Sequence, residues 1–195
     1  ALDGGEFPTL PDVAMRVLKL AGDDDANTRE LERVLQRDQG LAARVLCLSN
    51  SAHFGMRQTV STLSQAVILL GLRRLRSVVL AACTESLCRS QRSSFKDRIL
   101  WQHSVATGVA ARVLAERGAP SSAEEAFVGG LLHDIGRIAL VHLVPQHYAK
   151  VDQGLLGIEL IEAEETHLGL THTEAGYQLA RHWDFPDSLV ECIRH

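Results

Sequence analysis

The chain has 195 residues, 46% hydrophobic and 23% charged, with a net charge of -4, the composition of an ordinary globular protein built as one large domain or two lobes sharing a core. A chain of that length buries roughly 70% of the surface its unfolded form exposes and needs no disulfide or structural metal, so stability alone does not account for its nine histidines. The mildly acidic balance leaves no footprint for general nucleic-acid binding, the four scattered cysteines argue against a Cys-rich zinc site and for reduced thiols, and apolar runs such as 78–83 and 138–141 fall short of the roughly 18 residues of a membrane span.

The start lacks both a methionine and any leader pattern, which points to an excised piece of a cytoplasmic protein and not to a secreted one. Apolar residues recur at helical spacing and strand-type alternation is almost absent, so the expected fold is all-α. Pro11 opens a helix carrying Val13, Val17, Leu18 and Leu20, closed by a turn over 22–25. Asn27 and Glu30 have capping-box spacing before a second helix with Leu31, Val34 and Leu35, which Gly40 is expected to break. A third carries Leu41, Val45, Leu46 and Leu48 up to Asn50, and "SAHFG" reads as a turn. Helical stretches over 61–70 and 72–88 are separated by Gly71.

The polar run 88–97 is the expected boundary between an N-terminal lobe (1–90) and a C-terminal lobe (91–195) of a single domain, and eight of the nine histidines lie beyond it. A helix over about 98–117 ends at Gly118, with Pro120 blocking its continuation. Ser122 with Glu125, and Thr171 with Glu174, have capping-box spacing at two further helix starts. Pro186 falls in the first turn of a last helix.

The residues with chemical potential are His103, the adjacent His133 and Asp134, His172 and His195. His103 aligns with Ala106, Ala110, Val113 and Leu114, and His172 heads a stripe of Gly176, Leu179, Ala180 and Trp183, so both are expected to point inward. A single inward histidine is most simply a hydrogen-bonded core residue. Two of them, beside a His-Asp pair flanked by Gly129, Gly130 and Gly136, also make a mixed donor set suited to a first-row divalent metal. Backbone N–H groups in the first turn beside His172 would favour an anion such as phosphate.

"LWQHSVATGVAARVLA", "AFVGGLLHDIGR" and "HLGLTHTEAGYQLARHWDFPDSLVECIRH" resemble the HD superfamily. With "LPDVAMRVLKLAGDDDANTRELERVLQRDQGLAARVLCLSNSAHFG" and "AVILLGLRRLRSVVL", the whole chain resembles its HDOD branch, the HD-related output domains of bacterial signalling proteins. The resemblance implies an all-α domain of two helical lobes, the C-terminal one an HD-type bundle. It further implies a partner protein or a neighbouring sensor or receiver domain. In catalytic HD proteins the matching residues bind metal and hydrolyse phosphate esters, which carries a ligand role onto His103, His133, Asp134, His172 and His195. Arg137 stands where HD-GYP phosphodiesterases carry the lysine of HD-x-GK, no GYP-like run is present, and the later aspartate has no clear counterpart, Asp184 and Asp187 only lying nearby. HDOD domains as a group are regarded as non-catalytic.

Among the other features, Glu159, Glu162, Glu164 and Glu165 read as a solvated acidic face, with Glu164 a candidate to support a ligand because it matches an HDOD-type glutamate position. Arg73, Arg74 and Arg76 read as solvated charges or as a partner surface. His142, His147 and His182 read as surface residues, and the cysteines as small core hydrophobes. The favoured function is a cytoplasmic output module that binds a protein or ligand through a degenerate HD site. The alternatives are a metal-dependent phosphohydrolase or phosphodiesterase acting on a nucleotide or cyclic dinucleotide, with iron, manganese, zinc or nickel as the metal, and a plain helical scaffold.

Overall fold

Helical spacing becomes eleven α-helices in the computed structural model, which describes residues 10–21, 28–52, 59–90, 95–151 and 154–195 and has no strand among them. In the N-terminal half, α1 (Asp12–Ala21), α2 (Thr28–Leu35) and α3 (Gln39–Ser49) all pack on α4 (Leu63–Ser90). Val17, Leu31, Leu35 and Val45 are buried in one core cluster with Leu75, Val78 and Val79. The other side of α4 meets the C-terminal half, so this helix is the partition shared by both. Its regularity fails once, at Gly71 (φ 68°, ψ 174°), a left-handed conformation suited to a residue without Cβ. Two rods separated by Gly71 result, as the spacing predicts.

Gly40 does not break a helix. The break is Asp38, whose carboxylate accepts from the Leu41 N–H at 2.9 Å and caps α3, leaving Gly40 in its first turn; a side-chain acceptor for an orphan N–H decides a helix start more strongly than glycine propensity does. Asn50 ends α3 and bonds Val60 in both directions, each at 2.7 Å, tying the end of α3 to the approach to α4. Residues 53–58, with His53 and most of "SAHFG", lie outside the described residues, as do Asn27 and the 22–25 turn. Helix α4 continues to Ser90 and α5 begins at Phe95, so the expected polar boundary is shorter than 88–97.

The C-terminal half comprises α5 (Phe95–Gly118), a 3-10 turn (Pro120–Ser122), α6 (Ala123–Leu132), α7 (Ile135–Leu143), α8 (Pro145–Tyr148), α9 (Gly157–Leu168), α10 (His172–His182) and α11 (Asp187–Arg194). Helices α5 and α6 pack together most extensively. The stretch Pro120–Leu143 contains an 18-residue window apolar enough to cross a membrane, but 67% of that window is buried within the fold, and the stretch is broken into two helices at His133 and Asp134. Ser122 is part of the 3-10 turn and makes no side-chain cap. Thr171 and Glu174 do form a capping box, and Pro186 stands at the N-cap of α11, one position earlier than expected.

The rotation of α5 differs from the expectation. Val113 and Leu114 are exposed, Leu114 by 70%, as are Ala106 and Ala110, whereas Ser104, Val105, Gly108 and Arg112 face inward. Gly108 sets this. A Cβ there would stand 2.8 Å from the Phe127 carbonyl oxygen, and one at Gly130 would meet the Thr107 carbonyl at 2.8 Å, so α5 and α6 touch backbone to backbone along their glycines. Arg112 then lies over the Phe127 ring, 4.8 Å from its centroid.

Two of the candidate partner-surface arginines are engaged within the chain. Arg74 Nε lies 3.2 Å from Glu124 Oε1, and Glu124 also accepts from Ser77 at 2.9 Å; Arg73 donates to the Ser121 carbonyl at 3.3 Å. These contacts tie α4 to the start of α6. Arg76, with Arg16, Leu80, Glu125 and Phe185, lines a cavity of about 1150 Å³ between the halves.

All four cysteines are free; Cys83 and Cys88 are buried hydrophobes as expected, but Cys47 and Cys192 are exposed. Burial pushes the Cys83 thiol up to about 12, and only a thiolate reacts quickly. A disulfide reagent at pH 8 is therefore expected to titrate two thiols rapidly, Cys47 and Cys192, and the others only after denaturation, as followed by released chromophore.

Candidate metal centre

His133 and Asp134 form the two-residue turn between α6 and α7, which holds adjacent side chains at one place with little freedom. His103 reaches them from α5: its Nε2 lies 3.2 Å from His133 Nε2 and 3.7 Å from Asp134 Oδ2. Its side chain is 47% exposed, so it sits at the mouth of the group and not inward as its apolar neighbours suggested. The fourth residue is His172, the first of α10, with Nε2 3.5 Å from Asp134 Oδ1. It is brought there by the crossing of α7 and α10 at Gly136, where a Cβ would overlap the His172 carbonyl oxygen.

The ring nitrogens are oriented by their other contacts. His133 Nδ1 donates to the Gly130 carbonyl at 2.8 Å, and His172 Nδ1 donates to Glu164 Oε2 at 2.6 Å, so in the neutral rings both Nε2 lone pairs turn toward Asp134. Outer partners of this kind characterise ligating histidines. His103, His133 and Asp134 offer atoms within 4.8 Å of one another. Neighbouring donors on one ion with bonds of about 2.1 Å stand about 3.0–3.4 Å apart, close to the 3.2 and 3.4 Å from His133 Nε2 to His103 Nε2 and Asp134 Oδ1. This donor set could hold a metal ion.

His195 is not brought to the group. It follows the last residue of α11, is 78% exposed and stands 3.6 Å from Glu191, because that helix turns Val190 and Ile193 inward. The four-residue acidic run also divides: Glu159, Glu162 and Glu165 are exposed, whereas Glu164 is 0% exposed. Glu164 Oε2 additionally accepts from the His172 backbone N–H at 2.7 Å. The anion at the start of α10 is thus the protein's own carboxylate, favoured there by the unsatisfied N–H groups and the helix dipole.

Sequence reasoning missed Tyr148. Its hydroxyl donates to Glu164 Oε1 and accepts from Arg137 Nε, both at 3.3 Å, while Arg137 NH1 bonds Asp134 Oδ2 at 3.3 Å. No spacing links a lone tyrosine in a one-turn helix to a histidine 24 positions away, so no local signal could have found it. Burial pushes the Tyr148 hydroxyl up from 10.0 to about 12. Arg137 is held above its ordinary value by Tyr148 and Asp134 against the opposing effect of burial. Between pH 10 and 12 the folded chain keeps the Tyr148 proton that the unfolded chain releases, so this group's contribution to stability falls as pH rises through that window.

An all-helical domain that draws a His-Asp turn and two further histidines from separate helices into one group belongs to the HD-type class. Residues 7–195 match the HDOD domain family, and the chain belongs to it. A curated relative, an uncharacterised protein of Treponema pallidum (strain Nichols), is 26% identical over 97% of the chain, which spans 37% of that protein. Similar solved structures include an HDOD domain protein of unknown function from Geobacter sulfurreducens (29% identity, TM-score 0.83, 97% of this chain and 64% of that one). A candidate phosphohydrolase from Shewanella amazonensis SB2B (29%, 0.72, 96% and 67%) and a candidate signal transduction protein from Marinobacter aquaeolei VT8 (27%, 0.74, 96% and 43%) are also similar. The chain spans about a third of the curated relative and less than two thirds of the Geobacter structure.

Proposed function

We propose that this domain is an output module of bacterial cytoplasmic signalling that works by binding a protein partner or ligand, and that its HD centre does not catalyse hydrolysis. The carrying observation is the direction of Arg137. Metal-assisted phosphoester hydrolysis needs an open metal position, an activated water and a charge clamp for the phosphoryl group. The side chain at the position of the HD-GYP lysine is buried and bonded to Asp134 and Tyr148, so it is not offered to a substrate. The cavity between the halves, with Arg76 and Arg16 at its wall, supports a binding role for the surface joining the lobes. Arg73 and Arg74 contact Ser121 and Glu124 yet remain exposed, so a partner-binding test takes Arg73, Arg74 and Arg76 one at a time.

The alternative, a metal-dependent phosphohydrolase acting on a nucleotide or cyclic dinucleotide, is favoured by the donor spacing and by the open side of the group at His103. His103, His133, Asp134 and His172 would hold the ion, whether iron, manganese, zinc or nickel. Such an ion supplies Lewis acidity and an acidified water when bound. The test is turnover of cyclic dinucleotides and generic phosphoesters with added Mn²⁺, with a His133→Ala, Asp134→Ala variant as control. No turnover above that control is expected. Hydrolysis lost in the double variant would establish the alternative.

A further inference from the structure

Five side chains of the C-terminal half form a connected polar network. Asp134 bonds Arg137, Arg137 bonds Tyr148, Tyr148 bonds Glu164 and Glu164 bonds His172, at 3.3, 3.3, 3.3 and 2.6 Å, and His172 Nε2 stands 3.5 Å from Asp134 Oδ1, two acceptors facing each other. All five are buried, and no buried side-chain nitrogen or oxygen among the described residues lacks a hydrogen-bond partner. Arg137, Tyr148 and Glu164 thus find their partners within the protein. Buried networks of this kind are favourable when every member is paired and costly when one is not.

A guanidinium keeps its charge at any ordinary pH, so the network contains one fixed positive charge. That charge stands against the same carboxylate that an ion among His103, His133 and His172 would use. Arg137 cannot readily withdraw: it is three residues from Asp134 on the same helical turn, its side chain is 9% exposed, and two of its nitrogens are bonded to different partners. The planar fork of arginine makes this double engagement possible, where a lysine would present a single point charge. Repulsion between a divalent ion and a fixed cation a few ångströms away is far stronger in a partly desolvated site than in water.

The geometry points to Arg137 as a built-in counter-cation, which neutralises Asp134 from inside the fold and lowers the affinity of the centre for divalent ions. This rests on the reading of the centre as non-catalytic, but its test reads metal affinity and not activity. Calorimetric titration of Zn²⁺ and Mn²⁺ into chelator-treated full chain would compare the wild type with Arg137→Met, Arg137→Gln and Arg137→Lys.

Removing the charge is expected to tighten binding at the one site by about ten-fold or more, while Arg137→Lys stays within about three-fold of wild type. His133→Ala should abolish the site in every background. Arg137→Gln retains hydrogen-bonding capacity, so it carries the comparison if the methionine variant does not fold. Unchanged or weaker affinity in the neutral variant would overturn the inference and make Arg137 a support that merely orients Asp134. Equal tightening in Arg137→Lys would overturn it as well, since charge would not be the cause. Turnover by the wild type would refute the non-catalytic reading yet leave the affinity ratio to decide this one.

Discussion

Alanine at Gly136 is expected to destabilise the domain by about 3 kcal/mol or more. The added Cβ would overlap the His172 carbonyl oxygen and stand 2.5 Å from the Gly176 amide nitrogen. Both atoms are backbone, so no side-chain rotation relieves the clash and α7 must move away from α10. The same movement separates Asp134 from His172, linking a packing defect directly to the centre. Urea denaturation followed by helical circular dichroism measures the loss. Gly118→Ala is the control, because a Cβ at Gly118 meets nothing within 4 Å and should leave the midpoint close to wild type. A Gly136→Ala protein as stable as wild type would show that the helices do not cross as described.

Glu164→Leu is expected to cost roughly 3–5 kcal/mol, the range for breaking a buried charged network by deleting one member. It leaves the His172 backbone N–H, His172 Nδ1 and the Tyr148 hydroxyl without the acceptor they share. Thermal melts would compare it with Glu165→Leu, one residue along but exposed, where a change within about 0.5 kcal/mol is expected. Equal effects of the two substitutions would mean that Glu164 is solvated like its neighbour.

That contrast shows what a sequence can carry. Helix periodicity made the all-α fold legible, and local chemistry did the same for the Gly71 break and the Thr171–Glu174 cap, since each depends on residues within one or two turns. The His-Asp turn and His172 stood out by residue type and by the motifs around them. The rotation of α5 did not, because its apolar stripe is outvoted by glycine contacts with α6 that exist only in three dimensions. Glu164 was one acid in a run of four, and only the fold distinguishes the one beneath α10 from the three in solvent. Tyr148 and the inward turn of Arg137 are tertiary facts of the same kind. His195 carried a family-like position, but α11 turns its other face to the core.

The most direct measurement of whether the HD centre is complete without metal is elemental analysis of purified protein, joined to its melting temperature before and after exhaustive chelation. Metal well below one equivalent is expected, with a melting temperature that chelation does not change. One equivalent of tightly held iron, manganese, zinc or nickel, whose removal lowers the melting temperature by several degrees, would contradict it.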